Sequence, residues 1–454
     1  MSDKGMQLLE KAFRLEGVNR VPWVPFVGVH GARLVGVDAK TYLTSSAHIV
    51  EGIGKAIELY NPDGIPVVFD LQIEAEILGC KLVWNDDNPP AVVSHPLAEG
   101  ATLDQLSIPE ETDGRIPIVL EATRRLRETY PDIALYGLIT GPFTLALHLL
   151  GTEVFMKLFE DPEYVHDLMA FCSKVGDKHA QLLIDAGCDV IAVVDPMTSQ
   201  IDPESFKTFV SSPVTQIFET IRKNKKYSSF FVCGHAQQNI EVMCDCLPDN
   251  ISIDENIPLD YVKDIAMQKG ISFGGNLKLT SVLLLGDELD ARKEALGCLD
   301  LAGKEGFILA PGCDLPMDTP VENLQAVSTL VHDEYIQEAT RNMEHSSSLQ
   351  PLSLDGHWHA DKVVIDVITL DSGSCAPCQY MMEAVNKAAA GFGDKVVISE
   401  HKIKDINGIR MMMALGVKNV PTICINGKAS FISQIPPRSE LEASIMKDIQ
   451  ALNG

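Results

Sequence analysis

Short runs rich in apolar and β-branched residues alternate with helical patterns over the first three quarters of the chain. The runs are Val21–Val29, Gly64–Phe69, Ile133–Thr140, Asp189–Pro196, Ser228–Gly234, Asn250–Glu255, Ile271–Asn276 and Phe307–Cys313. Ahead of the first, Leu8, Leu9, Ala12, Phe13 and Leu15 fall near helical spacing and predict an amphipathic helix. Between the runs, helical periodicity covers Phe155–Leu168 with a continuation to Leu183, and Phe206–Lys223. Strand and helix in alternation suit either a doubly wound open sheet or a closed (β/α)8 TIM barrel, and the count of eight strands favours the barrel. Lys81–Val83 and Ala91–Val93 flank Asn85-Asp86-Asp87-Asn88-Pro89-Pro90, which predicts a hairpin inserted after the second strand.

The periodicity stops at residues 345–360, a Ser-, Pro- and Gly-bearing stretch that reads as a linker between a domain of residues 1–344 and one of 361–454. His345, His357 and His359 in it are read as solvated side chains and not as a metal cluster. From Lys362 a new pattern begins. It comprises a strand at Val363–Leu370, Cys375-Ala376-Pro377-Cys378, a helix to about Ala390, a strand at Val396–Glu400 and a helix at Ile406–Leu415. Val420-Pro421-Thr422, a strand at Ile423–Ile425, a turn at Asn426-Gly427 and a last helix from Ser439 complete it.

Composition narrows the setting. Of the 454 residues, 46% are hydrophobic and 22% charged, which describes a folded globular protein. No apolar run approaches the ~20 residues of a membrane span. The first residues lack a secretory apolar core, so a cytoplasmic protein without a membrane partner is expected. The net charge is −26, yet residues 361–454 hold ten acidic and ten basic side chains, so the whole excess lies on residues 1–360. Such a surface repels nucleic acid, and the contrast marks two joined units. Eleven cysteines in that setting favour metal or catalytic roles over a disulfide framework.

The C-x-x-C at Cys375 and Cys378 lies between a strand and a helix. The helix N-terminus stabilises a Cys375 thiolate as nucleophile, and Cys378, one turn in, can resolve a mixed disulfide. A structural zinc half-site is the alternative, but no second C-x-x-C lies nearby. Cys424, inside a strand, reads as core. With Val420-Pro421-Thr422 in its place, this order of elements resembles the thioredoxin family in a short form. The resemblance implies a redox site of Cys375, Cys378 and a cis Pro421; Ser374 stands where thioredoxins commonly carry tryptophan.

In the barrel, Cys233 ends the fifth predicted strand, Glu255 the sixth, Asn276 the seventh and Cys313 the eighth. Cysteines at strand ends are often buried apolar residues. The carboxyl ends of barrel strands, however, face the active site, and two thiolates with an imidazole or a carboxylate suit Zn2+. His235 and Glu255 are the candidate third ligands, His235 because strand alternation keeps i and i+2 on one side. Asp70 and Asp195 end the second and fourth strands, where they either orient a ligand or cap a loop.

Residues ~5–340 resemble the uroporphyrinogen decarboxylase superfamily, and within it the corrinoid-dependent methyltransferases. The resemblance is carried by Arg20-Val21-Pro22-Trp23-Val24-Pro25-Phe26, Phe69-Asp70-Leu71, Glu74-Ala75-Glu76, Gly141-Pro142-Phe143-Thr144-Leu145 and Gly151-Thr152-Glu153. It continues through Asp195-Pro196, Cys233-Gly234, Ile253-Asp254-Glu255, Gly275-Asn276 and Ala310-Pro311-Gly312-Cys313. It implies a zinc site at Cys233 and Cys313 and methyl transfer between methylcobamide, on a partner corrinoid protein, and a small thiol or pterin acceptor. The methyltransferases place a histidine two residues before the first of these cysteines; here that residue is Phe231, which cannot ligate, so His235 or Glu255 would replace it.

Two other readings are weighed. Uroporphyrinogen decarboxylase itself binds an octa-anion through N-terminal arginines, absent from Val24–His30 although Arg33 is close; Asp70 stands where decarboxylases hold a pyrrole. A metal-free scaffold that only docks a corrinoid protein is the third. The Cys375/Cys378 unit is expected to keep Cys233 and Cys313 reduced, to release an oxidised thiol acceptor, or to recruit a partner.

Overall fold

The computed structural model of the chain describes residues 5–343, 350–373 and 375–452. The chain divides into two units, Met1–Met343 and Glu344–Gly454. Among the described residues no helix is long and apolar enough to cross a membrane.

The first unit is built on a curled parallel sheet. Its strands in order are β1 (Gly64–Pro66), β4 (Ala134–Thr140), β5 (Val190–Val194), β6 (Tyr227–Val232), β7 (Asn250–Ile253), β8 (Ser272–Leu277) and β9 (Phe307–Pro311). Between β1 and β4, β2 (Leu82–Val83) and β3 (Ala91–Val92) pair antiparallel as the expected hairpin. The predicted first strand, Val21–Val29, shrinks to a single parallel bridge between Trp23 and Leu309. Pro22 and Pro25 lack the N–H groups that a longer ladder would need. Residues 22–24 still close the barrel. Val24 N–H donates to Leu309 O (3.0 Å) and Leu309 N–H to Pro22 O (2.9 Å), while Asp63 N–H donates to Trp23 O (2.9 Å) on the other side.

One carboxylate fastens that closure. Asp63, just before β1 and almost fully buried, accepts from Gly5 N–H (2.8 Å), Trp23 N–H (3.0 Å) and both terminal nitrogens of Arg20 (2.6 and 2.8 Å). It thus ties the helix Met6–Phe13 and the Trp23 segment to the start of β1.

The barrel interior is apolar. Phe231 in β6 meets Phe26 and Phe69 edge to face, at ring centroid distances of 5.5 and 6.0 Å. Val24, Leu138, Ala192, Val194, Ile308 and Ala310 extend that cluster, and Cys233 and Cys313 pack against it. A buried aromatic of this kind contributes about 1.5–3 kcal/mol relative to exposure. Outside the sheet, the helix expected from Phe155 to Leu183 is two helices, Glu153–Glu160 and Pro162–Ala186. Asp161 caps the second by accepting from Tyr164 N–H, and Pro162 occupies its first turn, where the ring is tolerated and the preceding helix ends.

The second unit has a four-stranded sheet in the order β11 (Val396–Lys402), β10 (Val363–Thr369), β12 (Thr422–Ile425), β13 (Lys428–Ile432). β10 runs parallel to β11 and antiparallel to β12, and Asn426 and Gly427, both at positive φ, turn β12 into β13. Alternation along β10 sends Val363, Ile365 and Val367 into a core with Met381, Val385, Leu441 and Ile445, and turns Asp366 to the opposite face.

There the linker expectation is corrected. His345 lies outside the described residues and His359 is exposed, but His357 is not simply solvated. Its Nε2 lies 2.9 Å from Asp366 Oδ2, while His401 Nε2 lies 2.7 Å from Oδ1. Burial opposes the charge on Asp366, yet the hydrogen bonds from His401 and His357 hold its carboxyl below the usual carboxylate range. Leu352 N–H also donates to Arg410 O (3.1 Å) and Arg410 Nε to Gln350 O (2.9 Å), so residues 350–357 belong to the fold of this unit.

Candidate functional site

The carboxyl ends of β6 and β9 bring two thiols together. Cys233 follows β6 directly and Cys313 follows β9 after Gly312; their sulfurs are 3.2 Å apart, and both residues are half-buried. Glu255, just beyond β7, lies so close to Gly312 that any side chain there would collide with its carboxylate, which places Glu255 against the residue that precedes Cys313. Its neighbour Asp254 accepts from Gly234 N–H and from Asn256 N–H (2.9 Å) and Nδ2 (3.0 Å), and so fixes the turn that follows Cys233. Burial pushes the carboxyls of Asp254 and Glu255 up, and for Glu255 the adjacent Asp254 charge adds to it.

His235 was expected on the same side as Cys233 by strand alternation. That premise does not hold, because β6 ends at Val232 and Gly234 takes φ +80°, turning the backbone between the two residues. Among the described residues no three His, Cys, Asp or Glu side chains converge on one metal position as they stand. A tetrahedral zinc with Zn–S bonds of about 2.3 Å separates two thiolates by roughly 3.8 Å, so the 3.2 Å pair must open by about half an ångström to share an ion. In kind the donors fit: two thiols with a carboxylate alongside.

Asp195 and Asp70 are both engaged. Asp195 is fully buried at the end of β5 and accepts from Thr144 N–H (2.8 Å), Thr144 Oγ1 (2.6 Å) and Phe143 N–H (3.0 Å). It therefore satisfies the first N–H groups of the helix Pro142–Leu150, the loop-capping alternative of the sequence reading. Burial raises its carboxyl to about 6 against the opposing hydrogen bonds. Asp70 accepts from Gln72 N–H (2.9 Å) and forms a buried ion pair with Arg115, whose Nε also binds Glu76 (2.7 Å). The ring of Trp84, next to β2 in the hairpin, stacks under that guanidinium at 5.0 Å.

Sequence reasoning missed Arg115, since nothing near it in the chain announces a partner 45 residues away. It also missed a buried pair behind β4: His179 Nδ1 lies 2.8 Å from Glu74, which accepts Thr140 N–H (3.0 Å) and Oγ1 (2.8 Å) as well. The available signal was Glu74-Ala75-Glu76, two acids in an otherwise apolar stretch after a strand.

In the second unit Cys375 is half-buried at the N-cap of the helix Ala376–Ala389. Cys378 is buried, and its sulfur accepts Leu370 N–H at 3.3 Å. Val420-Pro421 is cis, as the resemblance implied, and Ser374 lies outside the described residues.

A family model described as uroporphyrinogen decarboxylase matches residues 4–334, and one described as a thioredoxin domain matches residues 363–446. A methylcobamide:CoM methyltransferase of Methanosarcina acetivorans is 27% identical over 326 residues, 70% of this chain and 94% of that protein. A uroporphyrinogen decarboxylase of Anaeromyxobacter dehalogenans is 27% identical over 290 residues, 61% of this chain and 82% of that protein. In fold, a methyltransferase structure from Methanosarcina mazei superposes with a TM-score of 0.67 at 24% identity, covering 72% of this chain and 98% of its own.

Proposed function

Because the chain belongs to the uroporphyrinogen decarboxylase family and carries a C-terminal thioredoxin domain, we propose that its barrel is a corrinoid-dependent methyltransferase. In this reading a methyl group moves between methylcobamide, presented by a partner corrinoid protein, and a small thiol acceptor of the coenzyme M kind. The observation that carries it is the meeting of Cys233 and Cys313 at the ends of β6 and β9.

Cys233, Cys313 and Glu255 would hold a zinc ion, with His235 as a further candidate after a loop movement. A zinc ion held there would lower the pKa of a thiol bound to it and would present the acceptor as a thiolate at neutral pH. The rest is done by the chain. Phe231, Phe26 and Phe69 form the apolar floor beneath the two cysteines, and they limit the water that would compete for the thiolate. Asp254 holds the Cys233 turn, and Asp195 holds the start of the neighbouring Pro142–Leu150 helix; both position, and neither is free to contact substrate. The acceptor sulfur forms the new S–CH3 bond while the cobalt–carbon bond breaks, and its electron pair stays on cobalt as cob(I)amide.

The decarboxylase reading asks Asp70 to accept pyrrole N–H groups. Its side chain is instead committed to Arg115, and the unit that would bind an octa-anion, Met1–Met343, carries −24 of the −26, Glu344 and Asp355 supplying the other two charges. The deciding experiment pairs zinc analysis with methyl transfer from methylcobalamin to a panel of thiols. Near-stoichiometric zinc and transfer to one thiol support the proposal; a metal-free native protein, or turnover of uroporphyrinogen to coproporphyrinogen, overturns it.

A further inference from the structure

The thiols of the chain fall into two classes. Eight are buried: Cys378 of the C-x-x-C, and Cys80, Cys172, Cys188, Cys244, Cys246, Cys298 and Cys424. Burial pushes Cys80, Cys188, Cys244 and Cys298 up to about 12, Cys246 and Cys424 up to about 11, and Cys172 well above the ordinary thiol value. These seven are poor nucleophiles and poor targets of oxidants. Only Cys233, Cys313 and Cys375 are half-buried, with Cys378 directly behind Cys375. The accessible thiols are therefore one close pair in the first unit and the leading cysteine of the C-x-x-C in the second.

We propose that Cys233 and Cys313 close into a reversible disulfide, and that this disulfide is a substrate of the Cys375–Cys378 dithiol. This dithiol–disulfide exchange is an activity separate from methyl transfer. The 3.2 Å contact needs just over 1 Å of approach to reach the ~2.05 Å of an S–S bond. The approach falls to the two side-chain torsions, because Asp254 holds the Gly234 turn and Gly312 N–H donates to Leu277 O (2.9 Å). No metal, substrate or corrinoid is required for either step.

The chemistry balances with a peroxide as oxidant. One barrel thiolate attacks a peroxide oxygen and becomes a sulfenic acid as hydroxide leaves and takes a proton from solvent to become water; the second thiol condenses with it, forming the S–S bond and a second water. In the reverse direction the Cys375 thiolate attacks one barrel sulfur, releasing the other as thiolate. Cys378 then attacks the Cys375 sulfur and releases the second barrel thiolate. Two electrons and two protons pass from the C-x-x-C to the barrel pair, leaving Cys375–Cys378 as the disulfide.

The test uses full-length chains in one turnover. The Cys375→Ser/Cys378→Ser protein is treated with one equivalent of hydrogen peroxide, and non-reducing peptide mapping should find Cys233 linked to Cys313 with two thiols lost. Pre-reduced Cys233→Ser/Cys313→Ser protein is then added. It should restore the two thiols and acquire a Cys375–Cys378 disulfide, about tenfold or more faster than an equal concentration of a chain lacking all four cysteines. Oxidation to other cysteines, or a Cys233–Cys313 bond that the C-x-x-C protein leaves untouched, overturns the proposal. Peptide mapping of the wild-type chain after one equivalent of peroxide should find the Cys375–Cys378 disulfide with Cys233 and Cys313 as thiols, and a Cys233–Cys313 link that persists there beside reduced Cys375 and Cys378 overturns the proposal.

Discussion

Thr144 gives both its backbone N–H (2.8 Å) and its hydroxyl (2.6 Å) to one oxygen of Asp195, directly after β5. The Asp195 carboxyl is raised to about 6, mainly by burial, so the folded state binds its proton more tightly than the unfolded chain does. Folding stability therefore rises as pH falls from about 6 towards about 4, where the unfolded carboxyl also titrates. Two pH units correspond to roughly 3 kcal/mol for a fully buried group. Denaturant unfolding of the wild type against Asp195→Asn should show the wild type gaining on the variant across that window. A pH-independent difference would refute the assignment.

Cys233→Ser and Cys313→Ser should each lower bound zinc measured by elemental analysis from near one ion per chain to about a tenth of that or less, with loss of methyl transfer to thiols. Glu255→Gln keeps the volume and removes the charge, and a fall of about 10–100-fold in metal affinity is expected. Zinc unchanged in all three would place the metal elsewhere.

Phe231→His restores an imidazole two residues before Cys233, at a cost. The ring would sit among Phe26 and Phe69, so a loss of about 1–3 kcal/mol in metal-free stability is expected from an unpaired buried polar group. With zinc present the same substitution should recover that loss and tighten binding about tenfold or more, which competition with a chromogenic chelator measures. Destabilisation without tighter binding would show that the β6 end is not a metal ligand position.

Much of this was legible from the chain because it is local. Apolar runs ending in Cys233, Glu255, Asn276 and Cys313 marked the strands and the barrel end at which Cys233 and Cys313 meet. What escaped is long-range or set by a single dihedral angle. Asp70 and Arg115 pair across 45 residues and Asp195 and Thr144 across 51, so a carboxylate at a strand end could not be told from a ligand-binding one. His235 was placed beside Cys233 by an alternation argument that assumes extended backbone through Gly234, where the chain instead turns at φ +80°. The first strand lost its ladder to two prolines that an apolar count scores as favourable.

Asp63→Ala should destabilise the first unit by about 3–5 kcal/mol, since it leaves Arg20 without its buried partner and frees Gly5 and Trp23 N–H groups. Hydrogen exchange should show the loss first at Val24 and Leu309, whose mutual contacts close the barrel. Exchange spread evenly over all strands would argue against a latch at this one residue.

The Asp366 cluster has a practical meaning for anyone wishing to cut the thioredoxin domain free. A fragment begun at residue 361, where the regular pattern restarts, leaves behind His357 and the residues that meet Arg410. Its Asp366 would keep one histidine and one exposed edge where two partners had been. A fragment begun at Gln350 carries its own neutralising arm. The place to sever the two units is therefore set by a histidine upstream of the first strand, and not by that strand.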